Sequence, residues 1–193
     1  MTLGTPEPSD EVLLSEFGQG RVEAFEAFAR RHQDAIFRLA LRFLGSPPDR
    51  ELAREVTQEV FVRAWQTLGA WRSGKGKPFT WLYRATLLVS REMLRKRPKG
   101  AVPYVEELDD RPYPGGDGLE QKQERERIMA VIMSLPPRQR EIVLLYIYED
   151  LSLNEVGQVL GIPLGTVKSN YHKALGNLRA RMDEDRDKGV GHD

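Results

Sequence analysis

Residues 98–119 divide this 193-residue chain into two halves, because four prolines interrupt any helix or strand that would cross them. The region from Glu106 to Glu120 also carries six acidic residues. This composition is typical of an extended connection rather than of a packed element. We therefore expect an extended acidic linker over residues 99–119, one domain over residues 8–98, a second over residues 120–182, and a polar tail over residues 183–193.

Apolar residues in both halves recur with the period of an α-helix. Helix starts are expected near eight positions: Ser9, Gly20, Asp49 and Pro78 in the first half, and Glu120, Pro136, Ser152 and Pro163 in the second. The predicted fold class is all-α, with two small helical domains joined by the extended linker.

Composition argues against several classes of protein. The chain has no cysteine, so it forms no disulfide or thiolate metal site. Its three histidines lie far apart, and we expect no metal or other cofactor. No paired nucleophile and base stands out in the sequence, so we expect no catalytic residues and no enzyme. No apolar run approaches about 18 residues and no signal segment opens the chain, which predicts a cytoplasmic protein without membrane insertion.

The charges are segregated, although the formal net charge is zero. Residues 63–99 hold ten basic residues and a single acid, Glu92, whereas residues 101–120 hold six acids and one arginine. Trp71, Trp81 and Tyr83 lie within or beside the basic residues. Aromatic rings among cations suit single-stranded DNA, because bases stack on the rings while Lys and Arg follow the phosphates. The alternative is that these rings belong to the core.

A helix-turn-helix is predicted between Leu151 and Leu178. Ser152 and Glu155 have the spacing of a capping box, Gly161 suits the end of the first helix, and Pro163 opens the second. The second helix has an apolar inner face and a polar, basic outer face, which fits the major groove of DNA. The alternative is an ordinary helical hairpin with a solvated face.

The family resemblance comes from motifs in both halves. Residues 161–169, GIPLGTVKS, and residues 135–141, LPPRQRE, closely resemble region 4 of extracytoplasmic-function sigma factors, the small group IV members of the bacterial sigma-70 family. Residues 58–65, QEVFVRAW, resemble region 2.2, and residues 79–84, FTWLYR, resemble region 2.3. The resemblance implies an RNA polymerase sigma factor that directs core polymerase to specific promoters and opens the −10 element.

The resemblance also implies roles for individual residues. The residues expected to bind core polymerase are Glu55, Gln58, Glu59 and Phe61. Those expected at the −10 DNA are Trp71, Arg72, Lys75, Lys77, Trp81, Tyr83, Arg84, Leu88, Arg91, Arg95, Lys96 and Arg97. Those expected at the −35 DNA are Thr166, Lys168, Ser169, Asn170, His172 and Lys173.

The implied partners are promoter DNA, the clamp helices of the largest polymerase subunit, the flap of the second-largest subunit, and an anti-sigma factor. The acidic linker would lie near the polymerase active site as a mimic of nucleic acid that nascent RNA displaces.

The chain departs from the family pattern at three positions. Asn170 and Leu175 stand where arginine is frequent, and Leu88 stands where asparagine is frequent near the pocket for a flipped −10 base. Two other functions stay open at this point: a stand-alone helix-turn-helix regulator, and an adaptor that binds protein alone.

Overall fold

The computed structural model describes residues 7–45, 49–71, 76–96 and 119–189. All regular elements within these residues are helical, which confirms the predicted fold class. The α-helices are α1 (Asp10–Gly18), α2 (Val22–Leu44), α3 (Arg50–Leu68), α4 (Pro78–Lys96), α5 (Leu119–Met133), α6 (Pro137–Val143), α7 (Leu153–Leu160) and α8 (Leu164–Gly189), and a π-helical turn, Leu144–Tyr148, follows α6. Residues 99–118 of the predicted linker lie outside the described residues, as do Arg72, Lys75 and Arg97.

The chain forms two compact units. The first comprises Met1–Leu41 and Glu51–Gly100, and the second comprises Arg42–Arg50 and Ala101–Asp193. The last residues of α2, from Arg42, therefore group with the second unit, whereas the sequence places them in the first domain. Helix α8 continues to Gly189, beyond the residue at which the polar tail is expected to begin.

In the first unit, α1 is fixed at both ends. Its N-cap is Ser9, whose side chain accepts a hydrogen bond from the backbone N–H of Val12. At its other end, a Cβ on Gly18 would lie 2.7 Å from the carbonyl oxygen of Gly69, so these two glycines allow a close backbone approach. Asp10 additionally pairs with His32 of α2 at 2.8 Å.

Burial pushes the pKa of Asp10 upward, but hydrogen bonds from His32 and Arg31 outweigh it, so the net pKa is below 3.8. The carboxylate therefore stays ionised and keeps α1 attached to α2 at neutral pH.

The core of the first unit is centred on α3. One stripe of this helix is almost completely inaccessible to solvent: Ala53, Val56, Val60, Ala64 and Leu68. It packs among large side chains that are also buried, including Phe28, Ile36, Leu39 and Leu82. The rotation of α3 about its axis is thereby set, and its opposite face is left for other contacts.

In the second unit, the buried residues come from every element between α5 and α8. Ile142, Val143, Leu144 and Leu145 are fully buried where α6 passes into the π-helical turn. A side-chain hydrogen bond of 2.8 Å from Asn177 to Gln139 joins α8 to α6. Helix α8 is thus held against the rest of the unit along its inner side.

No described helix is both long and apolar enough to cross a membrane. Over the same residues, no cluster of three or more His, Asp or Glu side chains could hold a metal ion.

Two helical glycines of the second unit provide a matched pair of substitutions. A Cβ on Gly157 would lie 2.9 Å from the carbonyl oxygen of Ile162, whereas one on Gly176 would meet no atom within 4 Å. We expect Gly157→Ala to lower the free energy of unfolding by about 1–3 kcal/mol through overpacking. We expect Gly176→Ala to raise it by about 0.5–1 kcal/mol, because alanine restricts the unfolded backbone.

Denaturant unfolding followed by circular dichroism measures both changes. Tryptophan fluorescence is the internal control, because Trp65, Trp71 and Trp81 all belong to the first unit and should report an unchanged transition. Shifts of the same sign in the two variants would contradict this account of the glycines.

Candidate nucleic-acid and protein interfaces

The turn between α7 and α8 is fixed by local interactions. The capping box is formed, with Ser152 and Glu155 each bonded to the other's backbone. Gly161 ends α7 at φ 66°, a left-handed conformation that favours glycine. The backbone N–H of Ile162 then donates to the carbonyl of Gly157 at 3.0 Å. The capping box and the glycine at the end of α7 are expected from the sequence, whereas the bond from Ile162 to Gly157 is added by the structure. Together they determine the direction in which α8 leaves the turn.

One side of α8 is exposed along its first three turns. Val167 and Ala174 are buried, so the opposite face projects outward. Five of the residues expected at the −35 DNA are exposed on it: Thr166, Lys168, Ser169, His172 and Lys173. A polar, cationic helix face free of apolar side chains can enter a major groove and donate to bases and phosphates.

Asn170 lies at the edge of this face and is half-buried. Its side-chain amide donates to the backbone carbonyl of Thr166 at 2.9 Å. Pairing with adenine needs both the amide donor and the carbonyl acceptor of an asparagine. The bond within the helix uses one of the two amide hydrogens, so a contact with adenine would use the second hydrogen and the carbonyl oxygen.

Helix α4 presents a stripe of cations to solvent. Arg84, Leu88, Arg91 and Arg95 recur every three or four residues, so they share one face, and all four are exposed. Leu88 is 48% exposed between the arginines. A row of cations interrupted by an apolar side chain offers phosphate contacts and a surface for an unstacked base.

The aromatic residues expected at the −10 DNA do not all lie on this stripe. Trp81 is half-buried one turn before Arg84, at the edge of the exposed face. Tyr83 points to another side of α4 and contacts the ring of Phe79 at 5.7 Å. Lys77 lies over the ring of Phe79 at 5.3 Å. Trp81 is thus neither fully core nor fully exposed, and it is the aromatic ring best placed beside the cations.

Trp71 is half-buried three residues after the last residue of α3. Its indole N–H and the hydroxyl of Thr80 are both buried without a hydrogen-bond partner among the described residues. Buried polar groups are rarely left unpaired, so these two groups are exceptions among the described residues.

The outer face of α3 carries the residues expected to bind polymerase. Glu55 and Gln58 are exposed on it. Gln58 and Phe61 line a shallow groove of about 360 Å³ between α2 and α3, which is otherwise formed by Phe25, Val62, Trp65 and Gln66. An apolar groove beside carboxylates and amides suits a protein partner with an apolar anchor and hydrogen-bond donors.

Trp65 contributes its aromatic ring to the lining of this groove, and it was not among the residues expected to bind polymerase. Its ring lies 4.8 Å from that of Phe17 and 5.1 Å, edge to face, from that of Phe25. The side chain is nevertheless 45% exposed. Its position in the QEVFVRAW motif, on the same face as Gln58 and Val62, is a signal that could have identified it.

The structure also adds Arg63, which pairs with Glu59 at 2.6 Å and with Glu92 of α4 at 3.0 Å. These hydrogen bonds, to Glu59 first and then to Glu92, raise the pKa of Arg63 above its ordinary value. Glu59, expected at the polymerase surface, is therefore already paired within the unit.

Comparisons with known proteins match both units. The model of sigma-70 region 2 matches residues 19–99, and the model of sigma-70 region 4 matches residues 131–180. The RNA polymerase sigma-E factor of Streptomyces coelicolor is 34% identical, over 84% of this chain and 88% of that protein. The ECF RNA polymerase sigma factor SigE of Mycolicibacterium smegmatis is 32% identical, over 90% of this chain and 69% of that protein.

Solved structures have the same fold. CnrH in complex with the cytosolic domain of CnrY matches with a TM-score of 0.69 and 24% identity, over 91% of this chain and 98% of that chain. The sigma factor RpoE in complex with the anti-sigma factor NepR, from Bartonella quintana, matches with a TM-score of 0.65 and 20% identity, over 84% of this chain and 98% of that chain. With relatives above 30% identity along most of its length, the chain belongs to the extracytoplasmic-function group of the bacterial sigma-70 family.

Proposed function

We propose that the chain binds core RNA polymerase through the outer face of α3, opens −10 DNA along α4, and binds −35 duplex through α8. The observation that carries this proposal is the separation of three exposed surfaces of different chemistry. The face of α3 combines an apolar groove with acids and amides, α4 presents a stripe of arginines, and α8 presents a polar face with two lysines. Each surface has the chemistry that its assigned partner requires.

Promoter opening in this scheme needs binding energy and no catalytic residue. A surface that holds an unpaired, unstacked base more tightly than duplex offsets the few kcal/mol needed to open a base pair. Trp81, Leu88 and the arginines of α4 supply such a surface. The chain then acts as an initiation factor rather than as an enzyme.

The assigned partners follow from this scheme. The clamp helices of the largest polymerase subunit would occupy the α3 groove, and the flap of the second-largest subunit would contact the second unit. An anti-sigma factor is a further expected partner, since the solved relative RpoE from Bartonella quintana is bound to one. The proposed domains are residues 8–98 and 120–182, with residues 99–119 as the linker between them.

Reconstitution with core polymerase tests the proposal. Purified chain and core enzyme are incubated with sheared genomic DNA of the host bacterium, and the 5′ ends of the transcripts are mapped. We expect defined start sites that appear only when the chain is present. A stand-alone regulator would bind duplex DNA without any gain from core enzyme, and an adaptor would bind protein and leave transcription unspecific.

Removal of polar groups from the α3 face should impair assembly with core polymerase. We expect Gln58→Ala combined with Glu59→Ala to weaken core binding by about tenfold or more, because tenfold corresponds to about 1.4 kcal/mol and truncation of a hot spot costs about 2 kcal/mol or more. Competition against a labelled wild-type chain measures the affinity. The matched control is Glu23→Ala combined with Gln33→Ala, since both residues are exposed on α2. Equal affinity of the two double variants would remove the α3 face from the interface.

Loss of either lysine on α8 should weaken −35 binding through lost phosphate contacts. For Lys168→Ala and Lys173→Ala, we expect the slope of log affinity against log salt to fall by about 0.9 for each residue. Holoenzyme binding to promoter duplex at several salt concentrations measures it. Arg181→Ala removes the same charge at an exposed position further along the helix, about 20 Å from Lys168 and about 12 Å from Lys173, and should leave the slope unchanged. A loss confined to one base position would assign the lysine to base reading instead.

Trp81 should act in promoter opening. We expect Trp81→Ala to slow open-complex formation on a fully paired promoter and to matter much less on a template with a pre-melted −10 bubble, because the ring helps to hold the opened strand. Trp81→Phe should restore most of the rate, since a smaller ring still stacks. Equal defects on both templates, with a loss of stability near the 3–5 kcal/mol typical of a fully buried Trp, would make the residue structural.

A further inference from the structure

Four side chains of α3 and α4 form an alternating chain of charges. Glu59 pairs with Nε of Arg63 at 2.6 Å, Nη2 of Arg63 pairs with Oε2 of Glu92 at 3.0 Å, and Oε1 of Glu92 pairs with Nζ of Lys96 at 2.9 Å. The two inner members each use two different atoms for two different partners. Arg63, Glu59 and Glu92 have side-chain exposures of 33–38%, so all three have room to exchange partners.

The two ends of this ion-pair chain belong to different surfaces. Glu59 lies on the face of α3 proposed to bind polymerase, and Lys96 lies in the last turn of α4, which carries the DNA stripe. Glu92 is the single acid among residues 63–99. Hydrogen bonds from Lys96 and then from Arg63 lower the pKa of Glu92 to about 2. Glu92 is therefore a permanent counter-ion inside the cationic segment.

We propose that Arg63 and Glu92 couple polymerase binding at Glu59 to DNA binding at Lys96, an inference that rests on the proposed function of these two surfaces. A carboxylate carries one negative charge, so a polymerase cation that binds Glu59 weakens the ion pair of Glu59 with Arg63, even though the two oxygens can accept from several donors. As that pair weakens, the Nε–Nη2 fork of Arg63 is free to turn toward both oxygens of Glu92. The ion pair of Lys96 with Glu92 is then weaker, and Lys96 is more readily available to a phosphate.

The same linkage operates in the opposite direction. A phosphate that takes Lys96 leaves both oxygens of Glu92 to Arg63, which loosens Glu59 for polymerase. Coupling between two binding sites is reciprocal by thermodynamic necessity. Exposed ion pairs shift binding equilibria by about two- to fivefold. The coupling therefore lowers the DNA affinity of the free chain only modestly, and the holoenzyme still binds DNA.

The first test uses the free full-length chain and a single-stranded oligonucleotide at low salt. We expect Glu92→Gln to bind about threefold more tightly than the wild type, with a salt slope steeper by about 0.7, because Lys96 adds one phosphate contact. Glu51→Gln changes the net charge equally from an exposed position at the start of α3 and should have a smaller effect. Equal effects of the two variants, or no effect of Glu92→Gln, would overturn the proposal.

The second test shows whether the effect passes through Arg63. We expect Glu59→Gln alone to tighten oligonucleotide binding, although Glu59 is not at the DNA surface, and to add nothing in a chain that already carries Glu92→Gln. Arg63→Lys keeps the charge but cannot form the fork, so it should abolish the effect of Glu59→Gln. Additive effects of Glu59→Gln and Glu92→Gln would reduce the network to a general charge effect and overturn the proposal.

The third test compares free chain with holoenzyme on a template with a pre-melted −10 bubble. Core polymerase already occupies Glu59 in the holoenzyme, so Glu92→Gln should no longer increase DNA affinity there. An equal gain in free chain and holoenzyme would overturn the coupling. A wild-type chain that fails to initiate transcription with core enzyme would instead contradict the proposed function. The first two tests use the free chain without core enzyme, so their outcomes are distinguishable from that failure.

Discussion

Burial of one stripe of α3 determines which side chains the first unit exposes to solvent and to partners along this helix. The stripe consists of alanines, valines and one leucine, and these small side chains let the neighbouring helices approach closely. Because Val56, Val60 and Ala64 must point inward, Gln58 and Val62 must point outward. The exposure of the face that we propose for polymerase binding is therefore a consequence of core packing, and a rotation of α3 would expose the core and bury the groove.

Close packing also orients α8 in the second unit, where one close backbone contact has the part that the buried stripe of α3 has in the first unit. Gly157 has no side chain, so the carbonyl of Ile162 can approach it and the turn can close. Val167 packs against Gly157 from the first turns of α8. The exposed face that would enter DNA is thus positioned by residues that never touch DNA.

The sequence predicts those features that depend on neighbours along the chain. The N-caps at Ser9 and Ser152 and the left-handed Gly161 follow local rules of hydrogen bonding and backbone sterics, and the structure confirms all three. The contact of Arg63 with Glu92 joins residues 29 positions apart, so no local rule could predict it. Exposure of Trp65 depends on how Phe17 and Phe25 stack against it, which is likewise decided by tertiary packing.

The second unit shows the same limit within a single segment. Helical periodicity predicts a helix after Pro136, but not the π-helical turn Leu144–Tyr148 or the positive φ of 50° at Asp150. Periodicity also assigns Asn170 to the outer face, whereas the structure places it half-buried at the edge of that face, with its amide bonded to Thr166. Several hydrogen-bond partners compete for each side chain on a helix face. A sequence pattern does not show which of these partners is bound in the folded structure.

In the proposed function, opposite charges on adjacent helices let one small unit meet a protein and a nucleic acid at once. Acids lie on the outer face of α3, and arginines lie along α4. Salt screens exposed charges beyond about 8 Å under physiological conditions, so the acids would not weaken DNA binding along most of α4. Groups in direct contact are much closer than this screening length, so salt screens direct ion pairs less. Under our proposal, the ion-pair chain from Glu59 to Lys96 transmits what the solvent would otherwise screen, at the boundary where the two surfaces meet.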